Sequence, residues 1–319
     1  MRAFVTRDLP APALDRIRNV AEVDVWPEPG PPPAAALRER VRDADGLLCL
    51  LTDLVDEALL ACAPRLRVVS QMAVGVDNID LAACARRGIV VGNTPGVLTE
   101  TTADLAFALL MAAARRLGEA ERLLRSGGWG SWSPLFLAGS DIHHATLGIV
   151  GMGRIGFEMA RRARGFEMRI LYTSPRPCPD AERDVHARRV TLNELLQESD
   201  FVSLHCPLTP ATRGLIGAHE LAAMKPTAVL VNAARGAVVD QRALFEALRD
   251  RRIAAAGLDV YESEPLPMDD PLLTLGNVVL APHIGSASVA TRIRMAMIAA
   301  DNLVAGLQGR PLQYAVAMP

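Results

Sequence analysis

Three ionisable residues follow apolar runs late in the chain: Arg235 in Asn232-Ala-Ala-Arg235-Gly, Glu264 in Gly257-Leu-Asp259-Val-Tyr-Glu262-Ser-Glu264-Pro, and His283 in Ala281-Pro-His283-Ile-Gly-Ser286. Together they suit one reaction, the reduction of a 2-oxo acid. A guanidinium forks onto a carboxylate and polarises the neighbouring ketone. An imidazolium gives a proton to the ketone oxygen as hydride reaches the carbon, and a carboxylate beside the imidazole favours its protonated form. A lone His is more often structural, so the functional reading rests on the three residues jointly.

A source of hydride is implied upstream. The apolar run Thr146-Leu-Gly-Ile-Val150 leads into Gly151-Met152-Gly153-Arg154-Ile155-Gly156 and then a helix-forming stretch. In a strand, G-x-G-x-x-G, helix unit the first Gly makes the tight turn, and the second lets the backbone approach a pyrophosphate. The third allows close helix–strand packing, with the helix N-terminus facing the phosphates. A dinucleotide site usually carries an acid at the end of the next strand, where it binds the ribose hydroxyls. Here that strand runs into Thr173-Ser174-Pro175-Arg176, and Ser174 stands 23 residues beyond Gly151. A small hydroxyl with Arg176 suits a 2′-phosphate, so NADP(H) is the expected cofactor, with NAD(H) as the alternative. No metal is expected, since the five cysteines are scattered without C-x-x-C or His-Cys clustering.

Short apolar strands alternating with helices must position these groups. Strands are expected at 2–6, 23–26, 46–50, 66–72 and 89–92, with helices at 11–18, 34–44, 55–61 and 81–87 between them. A long helix over residues 99–125 breaks this rhythm and is expected to bridge two domains. A second series has strands near 146–150, 168–172, 201–205, 228–232, 253–258 and 278–281. Its helices are near 154–164, 191–197, 219–224 and 240–249, with Thr191-x-x-Glu194 as a capping-box start. A last helix at 289–307 could join either domain. Repeated βα units with continuous apolar strands predict an α/β fold with two doubly wound parallel sheets. Ligands then sit beyond the carboxyl ends of the strands, where the three ionisable residues would converge.

With 34 Lys+Arg against 36 Asp+Glu the net charge is −2, which excludes the clustered positive excess of a nucleic-acid binder. Half the residues are hydrophobic and 22% charged, the profile of a globular protein. There is no apolar run of about 18 residues to span a bilayer and no signal-peptide core at the N-terminus. Reduced thiols and these absences predict a cytoplasmic protein with neither nucleic-acid nor membrane partners.

The motifs GMGRIG, NAARG, GLDVYESEPLP and APHIGSAS resemble those of the D-isomer-specific 2-hydroxyacid dehydrogenases. So do the spacings of 29 residues from Arg235 to Glu264 and 19 from Glu264 to His283. Met72-Ala-Val-Gly-Val-Asp77, Asn93-Thr-Pro, Gly127-Gly-Trp-Gly-Ser-Trp132-Ser-Pro-Leu and His283-Ile-Gly-Ser are similar to the glyoxylate/hydroxypyruvate reductase branch. The resemblance covers nearly the whole chain.

It implies a flavodoxin-like substrate domain, residues 1–98 and 285–319, with a Rossmann dinucleotide-binding domain, residues 99–284, inserted in it. The crossings near 95–100 and 284–290 would act as hinges. By the family pattern, backbone N–H groups at Val74 and Gly75 meet the substrate carboxylate, Arg235 completes the clamp, and Leu51 and Ser286 line the cleft. Thr102, Met152–Ile155, Cys206, Pro207, Ala233, Asp259 and Gly285 carry over as cofactor neighbours, with Asp259 near the nicotinamide carboxamide. In the reductase branch the residue matching Trp132 reaches a neighbouring subunit's active site, which implies a homodimer through residues 99–140. One departure stands out: NADPH-using relatives of the branch carry Arg directly after the small residue, where this chain has Pro175 and only then Arg176. The same resemblance leaves room for a dehydrogenase of another D-2-hydroxy acid, and for a dinucleotide-sensing regulator of the same fold.

Overall fold

Runs of Val, Leu, Ile and Ala, apolar on both faces, form nearly every strand, and such strands are stable only where helices cover the sheet on both sides. The computed structural model describes residues 1–319 and divides into two units, Met1–Leu98 with Ser286–Pro319, and Thr99–Gly285. Each is built on one all-parallel sheet.

In the first unit β1 (Arg2–Val5), β2 (Glu22–Val25), β3 (Gly46–Cys49), β4 (Val68–Gln71) and β5 (Val90–Gly92) take the order β2-β1-β3-β4-β5, the flavodoxin-like winding. Phe4, Leu47, Val69 and Val91 lie in the core on one face. The helix Val289–Leu307, whose allegiance sequence position leaves open, belongs to this unit and packs on β3, β4, β5 and the helix Ala11–Arg18. Ser288 caps it by accepting from Thr291 N at 3.2 Å, and Ser70 Oγ donates to Ala299 O at 2.7 Å, pinning the helix to β4. Gly306 allows the close approach: a Cβ there would lie 2.5 Å from Val68 Cβ.

The second unit contains β6 (Thr146–Val150), β7 (Arg169–Thr173), β8 (Arg188–Arg189), β9 (Phe201–Leu204), β10 (Val229–Asn232), β11 (Ala255–Leu258) and β12 (Val278–Leu280). Their order is β12-β11-β10-β9-β6-β7-β8, a Rossmann winding whose direction reverses between β6 and β9. Alternate residues of β10 supply both faces: Val229 and Val231 join one core cluster and Leu230 the other. No helix of either unit is long and apolar enough to cross a membrane.

Two expectations need correction. The single helix over residues 99–125 is two helices, Thr99–Ala114 and Leu117–Arg125, because Arg116 takes a left-handed backbone (φ 52°) that ends the first. Arg116 holds that corner through Glu119, with Nε and Nη2 at 2.9 and 2.8 Å from its carboxylate. Within the second unit the first of these helices packs on β10, β11, β12 and the helix Arg154–Arg164. The helix Pro179–Val185 and the strand β8 have no counterpart in the apolar pattern, since seven polar-rich residues and an Arg-Arg pair carry no period. Gly285 also stays with the second unit, held by an N–H bond to Asp259 Oδ2 at 2.7 Å.

Replacing Gly306 by Val would force the new side chain into Val68, a residue with no exposed surface on a buried strand. Urea denaturation is expected to register a loss of about 2 kcal/mol or more.

Candidate active site

At the switch point, Gly151 turns with φ +97°, open to glycine at little cost, and its N–H donates to Thr173 O at 2.9 Å. The turn lies hard against the end of β9: a Cβ on Gly151 would come within 2.6 Å of Cys206 N. A Cβ on Gly156 would come within 2.3 Å of Gly151 O, so helix and turn are in direct contact. Gly153 differs, with nothing within 4 Å of its would-be Cβ. It is the N-cap of the helix Arg154–Arg164, and no side chain caps that end. The first N–H groups of the helix therefore face open space with the positive end of the macrodipole behind them, which fits the pyrophosphate of a dinucleotide. Met152 is buried beside this turn, Ile155 is half-buried and Arg154 is exposed.

The structure joins His283 and Glu264. His283 Nδ1 lies 2.6 Å from Glu264 Oε2, and the two side chains are 31% and 29% exposed, accessible to a ligand yet partly desolvated. Glu264 Oε1 accepts from Tyr261 N at 3.0 Å, so both carboxylate oxygens are fixed. Burial raises a carboxyl's pKa. Against it, the His283 hydrogen bond and charge, the Tyr261 N–H and the Arg235 charge together hold Glu264 below the ordinary glutamate range.

Tyr261 also ties the two strand-end loops together. Burial pushes its phenol up to about 12, so the hydroxyl stays a donor, and it bonds Ala281 O at 2.9 Å.

His283 itself has a left-handed backbone (φ 54°), a conformation β-carbon-bearing residues rarely hold unaided. Its N–H donates to Asp259 O at 2.9 Å, while Ile284 N and Gly285 N both donate to the Asp259 carboxylate at 2.7 Å. Asp259 is 1% exposed. Burial holds its carboxyl above the usual range although these two N–H bonds oppose the shift. Thr102 completes the cluster: a Cβ on Gly285 would lie 3.3 Å from Thr102 Cγ2 and 3.2 Å from Asp259 Oδ2.

Arg235 enters from the loop after β10. Asn232 shapes that loop, accepting from Ala234 N at 3.1 Å and donating to Arg235 O at 2.9 Å, and Arg235 Nη1 donates to Ala234 O at 2.8 Å. Gly236 then runs against the Tyr261 backbone so closely that a Cβ would overlap it, which sets Arg235 beside the Glu264 loop. Ala233 is half-buried there, Cys206 is buried at the end of β9, and Pro207 is exposed, its carbonyl bonded by Thr212 Oγ1 at 2.6 Å. In the turn after β7, Ser174 is half-buried and Arg176 exposed. Trp132 is 77% exposed.

Ser286 begins the last segment of the first unit, where it is half-buried and its carbonyl accepts from Ser288 N at 2.9 Å. In the same unit Val74 and Gly75 present adjacent N–H groups that bond no other residue. Their carbonyls are taken, Val74 O by Asn93 Nδ2 at 2.8 Å and Gly75 O by Gln71 Nε2 at 3.4 Å. Sequence reasoning missed the residues that hold these loops. Asn78 Nδ2 donates to Leu50 O at 3.1 Å and Asp53 O at 2.7 Å on either side of half-buried Leu51, and Asn78 Oδ1 accepts from Gln71 at 2.7 Å. One amide pair thus links the loop after β3 to the loop after β4. Also missed was His205, whose Nε2 lies 2.8 Å from Ser203 Oγ; burial pushes it down to about 4, so it is uncharged at neutral pH.

A Rossmann sheet with a glycine turn at its switch point, and a His–Glu pair beyond its strand ends, defines a dinucleotide-dependent dehydrogenase. Residues 107–285 match the family model "D-isomer specific 2-hydroxyacid dehydrogenase, NAD binding domain". The chain is 55% identical over 309 residues to a glyoxylate reductase of Korarchaeum cryptofilum, covering 97% of this chain and 93% of the relative. Among solved structures, a protein from Thermus thermophilus superposes with a TM-score of 0.93 at 48% identity, over 99% of this chain and 100% of the other. An NADPH-dependent glyoxylate/hydroxypyruvate reductase from Sinorhizobium meliloti, solved with NADP and malonate, gives 0.86 at 35% identity, over 99% and 97%. The chain belongs to the D-isomer-specific 2-hydroxyacid dehydrogenases.

Two measurements follow from the bonding. Asn78→Ala removes donors from two partly buried carbonyls and is expected to cost about 1–3 kcal/mol in urea denaturation. Glu264 binds its proton less tightly folded than unfolded, so its contribution to stability is complete above the ordinary glutamate range and fades as pH falls through the folded value. The stability gap between the native protein and Glu264→Gln should therefore be wider at about pH 7 than at about pH 3.

Proposed function

We propose that this protein reduces glyoxylate and hydroxypyruvate to glycolate and D-glycerate with NADPH as the preferred dinucleotide. The observation that carries the reading is the His283–Glu264 pair on a dinucleotide-binding sheet, in a chain whose relatives are named glyoxylate reductases. NADPH, when bound, supplies the hydride to the carbonyl carbon. Glu264 orients the imidazole through Nδ1 and stabilises its cationic form, leaving Nε2 to deliver a proton to the substrate oxygen. Arg235 forks onto the substrate carboxylate and polarises the carbonyl. The unengaged N–H groups of Val74 and Gly75 are suited to the same carboxylate, and Leu51 and Ser286 take the lining roles that the family resemblance assigns them.

For the cofactor, the N-terminus of the helix Arg154–Arg164 with Gly151, Gly153 and Gly156 takes the pyrophosphate. Thr102, Met152, Cys206, Pro207, Ala233, Asp259 and Gly285 border the dinucleotide. Ser174 and Arg176, in a turn without an acid, support the preference for NADPH over NADH, as does the NADPH-dependent relative. A homodimer through residues 99–140 is supported by the exposed apolar side chains of Leu117, Leu124, Trp129, Trp132 and Leu135, a density unusual on a monomer's surface. In such a dimer Trp132 would serve the partner's site. Five free thiols fit a cytoplasmic setting.

Initial rates with glyoxylate, hydroxypyruvate, pyruvate and a bulkier 2-oxo acid, each with NADPH and NADH, test the assignment. The first two substrates with NADPH should be fastest; no turnover with any acid would overturn it. His283→Ala should lower kcat by roughly 10²–10⁴-fold while NADPH binding, followed by fluorescence titration, is retained.

A further inference from the structure

We propose that Arg189 is a second cationic ligand for the adenosine 2′-phosphate, acting with Arg176 at the turn after β7; the proposal rests on the NADPH reading above. The two-residue strand β8 brings it there. In parallel register Arg189 stands opposite Tyr172, and Val190 N donates to Tyr172 O at 2.9 Å, so β8 extends the sheet by one edge strand beyond β7. From that position the side chain reaches the turn at which a ribose is recognised. Arg189 Nη2 donates to Ser174 O at 2.9 Å and to Pro175 O at 3.0 Å, and Nε donates to Ser174 O at 3.3 Å. An exposed arginine usually samples many rotamers, but three bonds to two carbonyls fix this guanidinium against the backbone of Ser174.

The charges around it are asymmetric. Its neighbour Arg188 is neutralised by Glu194 at 2.9 Å and by Glu198 at 3.4 Å. Arg189 bonds only neutral carbonyls, with no carboxylate partner. The turn 173–178 contains no acid, and the acids of the next helix are engaged elsewhere: Asp180 and Asp184 with Arg183, and Glu182 with the Tyr172 hydroxyl. Two guanidiniums, Arg176 and Arg189, thus stand at one turn, neither of them in an ion pair. A phosphate monoester supplies up to two negative charges and three acceptor oxygens there, whereas the 2′-hydroxyl of an NAD-type ribose supplies no charge and a single oxygen. Arg189 also compensates for the displacement of Arg176 by Pro175, because its charge arrives from the neighbouring strand rather than along the turn.

Calorimetric titration of the full-length protein with adenosine 2′,5′-bisphosphate and with 5′-AMP tests this without any catalytic turnover, since neither probe carries a nicotinamide. Arg189→Gln is expected to weaken the bisphosphate about tenfold while leaving 5′-AMP within about twofold. Arg189→Lys, which keeps the charge but cannot fork onto both carbonyls, should fall between native and Gln. Equal weakening of both probes would reduce Arg189 to a scaffold for the turn and overturn the proposal. So would a bisphosphate preference that survives Arg189→Gln and is lost only in Arg176→Gln. A native protein that binds the two probes equally would overturn the NADPH preference along with the role of Arg189, yet leave the oxidoreductase reading to the rate measurements.

Discussion

A carboxylate with almost no exposed surface sits at the end of β11 in the nucleotide-binding unit. Asp259 is buried at a cost, and its compensation is the pair of N–H bonds from Ile284 and Gly285. Those bonds, with His283 N on the Asp259 carbonyl, force the chain into the left-handed step that a histidine would not take alone. The step aims Nδ1 at Glu264, and Tyr261 fixes both Glu264 and the strand end from which His283 departs. Removing the carboxylate would release the turn, and with it the position of the His283 imidazole. The geometry of the His283–Glu264 pair is therefore maintained by a residue that makes no bond to either side chain through its own carboxylate.

How far the sequence discloses this depends on what kind of signal each part leaves. Continuous apolar runs mark buried parallel strands, and eleven of the twelve strands follow from them, with ends displaced by a residue or two. The glycine turn is legible because three different steric demands fall on three fixed positions. The break at Arg116 is not, since the apolar pattern continues from Leu109 through Leu117 and only the backbone angle changes. β8 escapes for the opposite reason: two arginines carry no periodicity, and only the edge of β7 makes them a strand.

The site divides in the same way. Arg235, Glu264 and His283 could be nominated from residue type and position after strands, but their pairing is a three-dimensional fact. Asn78 and Gln71 left no trace in one dimension, because an amide that ties two loops together looks like any polar residue near a turn. The capping motif at Thr191 is instructive too. Thr191 accepts from Glu194 N at 3.2 Å, while the Glu194 carboxylate pairs with Arg188, a partner on a strand that sequence periodicity does not reveal.

The first unit is assembled from both ends of a long detour. Its sheet is complete by Gly92, yet the helix that covers β3, β4 and β5 arrives only at Val289, after the whole inserted unit has been synthesised. On a ribosome adding roughly 5–20 residues per second, the nascent N-terminal sheet spends about ten seconds or more with an apolar face lacking its cover, and by the end of that interval every strand of the inserted unit has been added. Folding order is thereby reversed relative to synthesis: the middle of the chain can finish first, and the beginning must wait for the end. Nascent chains halted just before residue 289 would consequently be the species most dependent on chaperones.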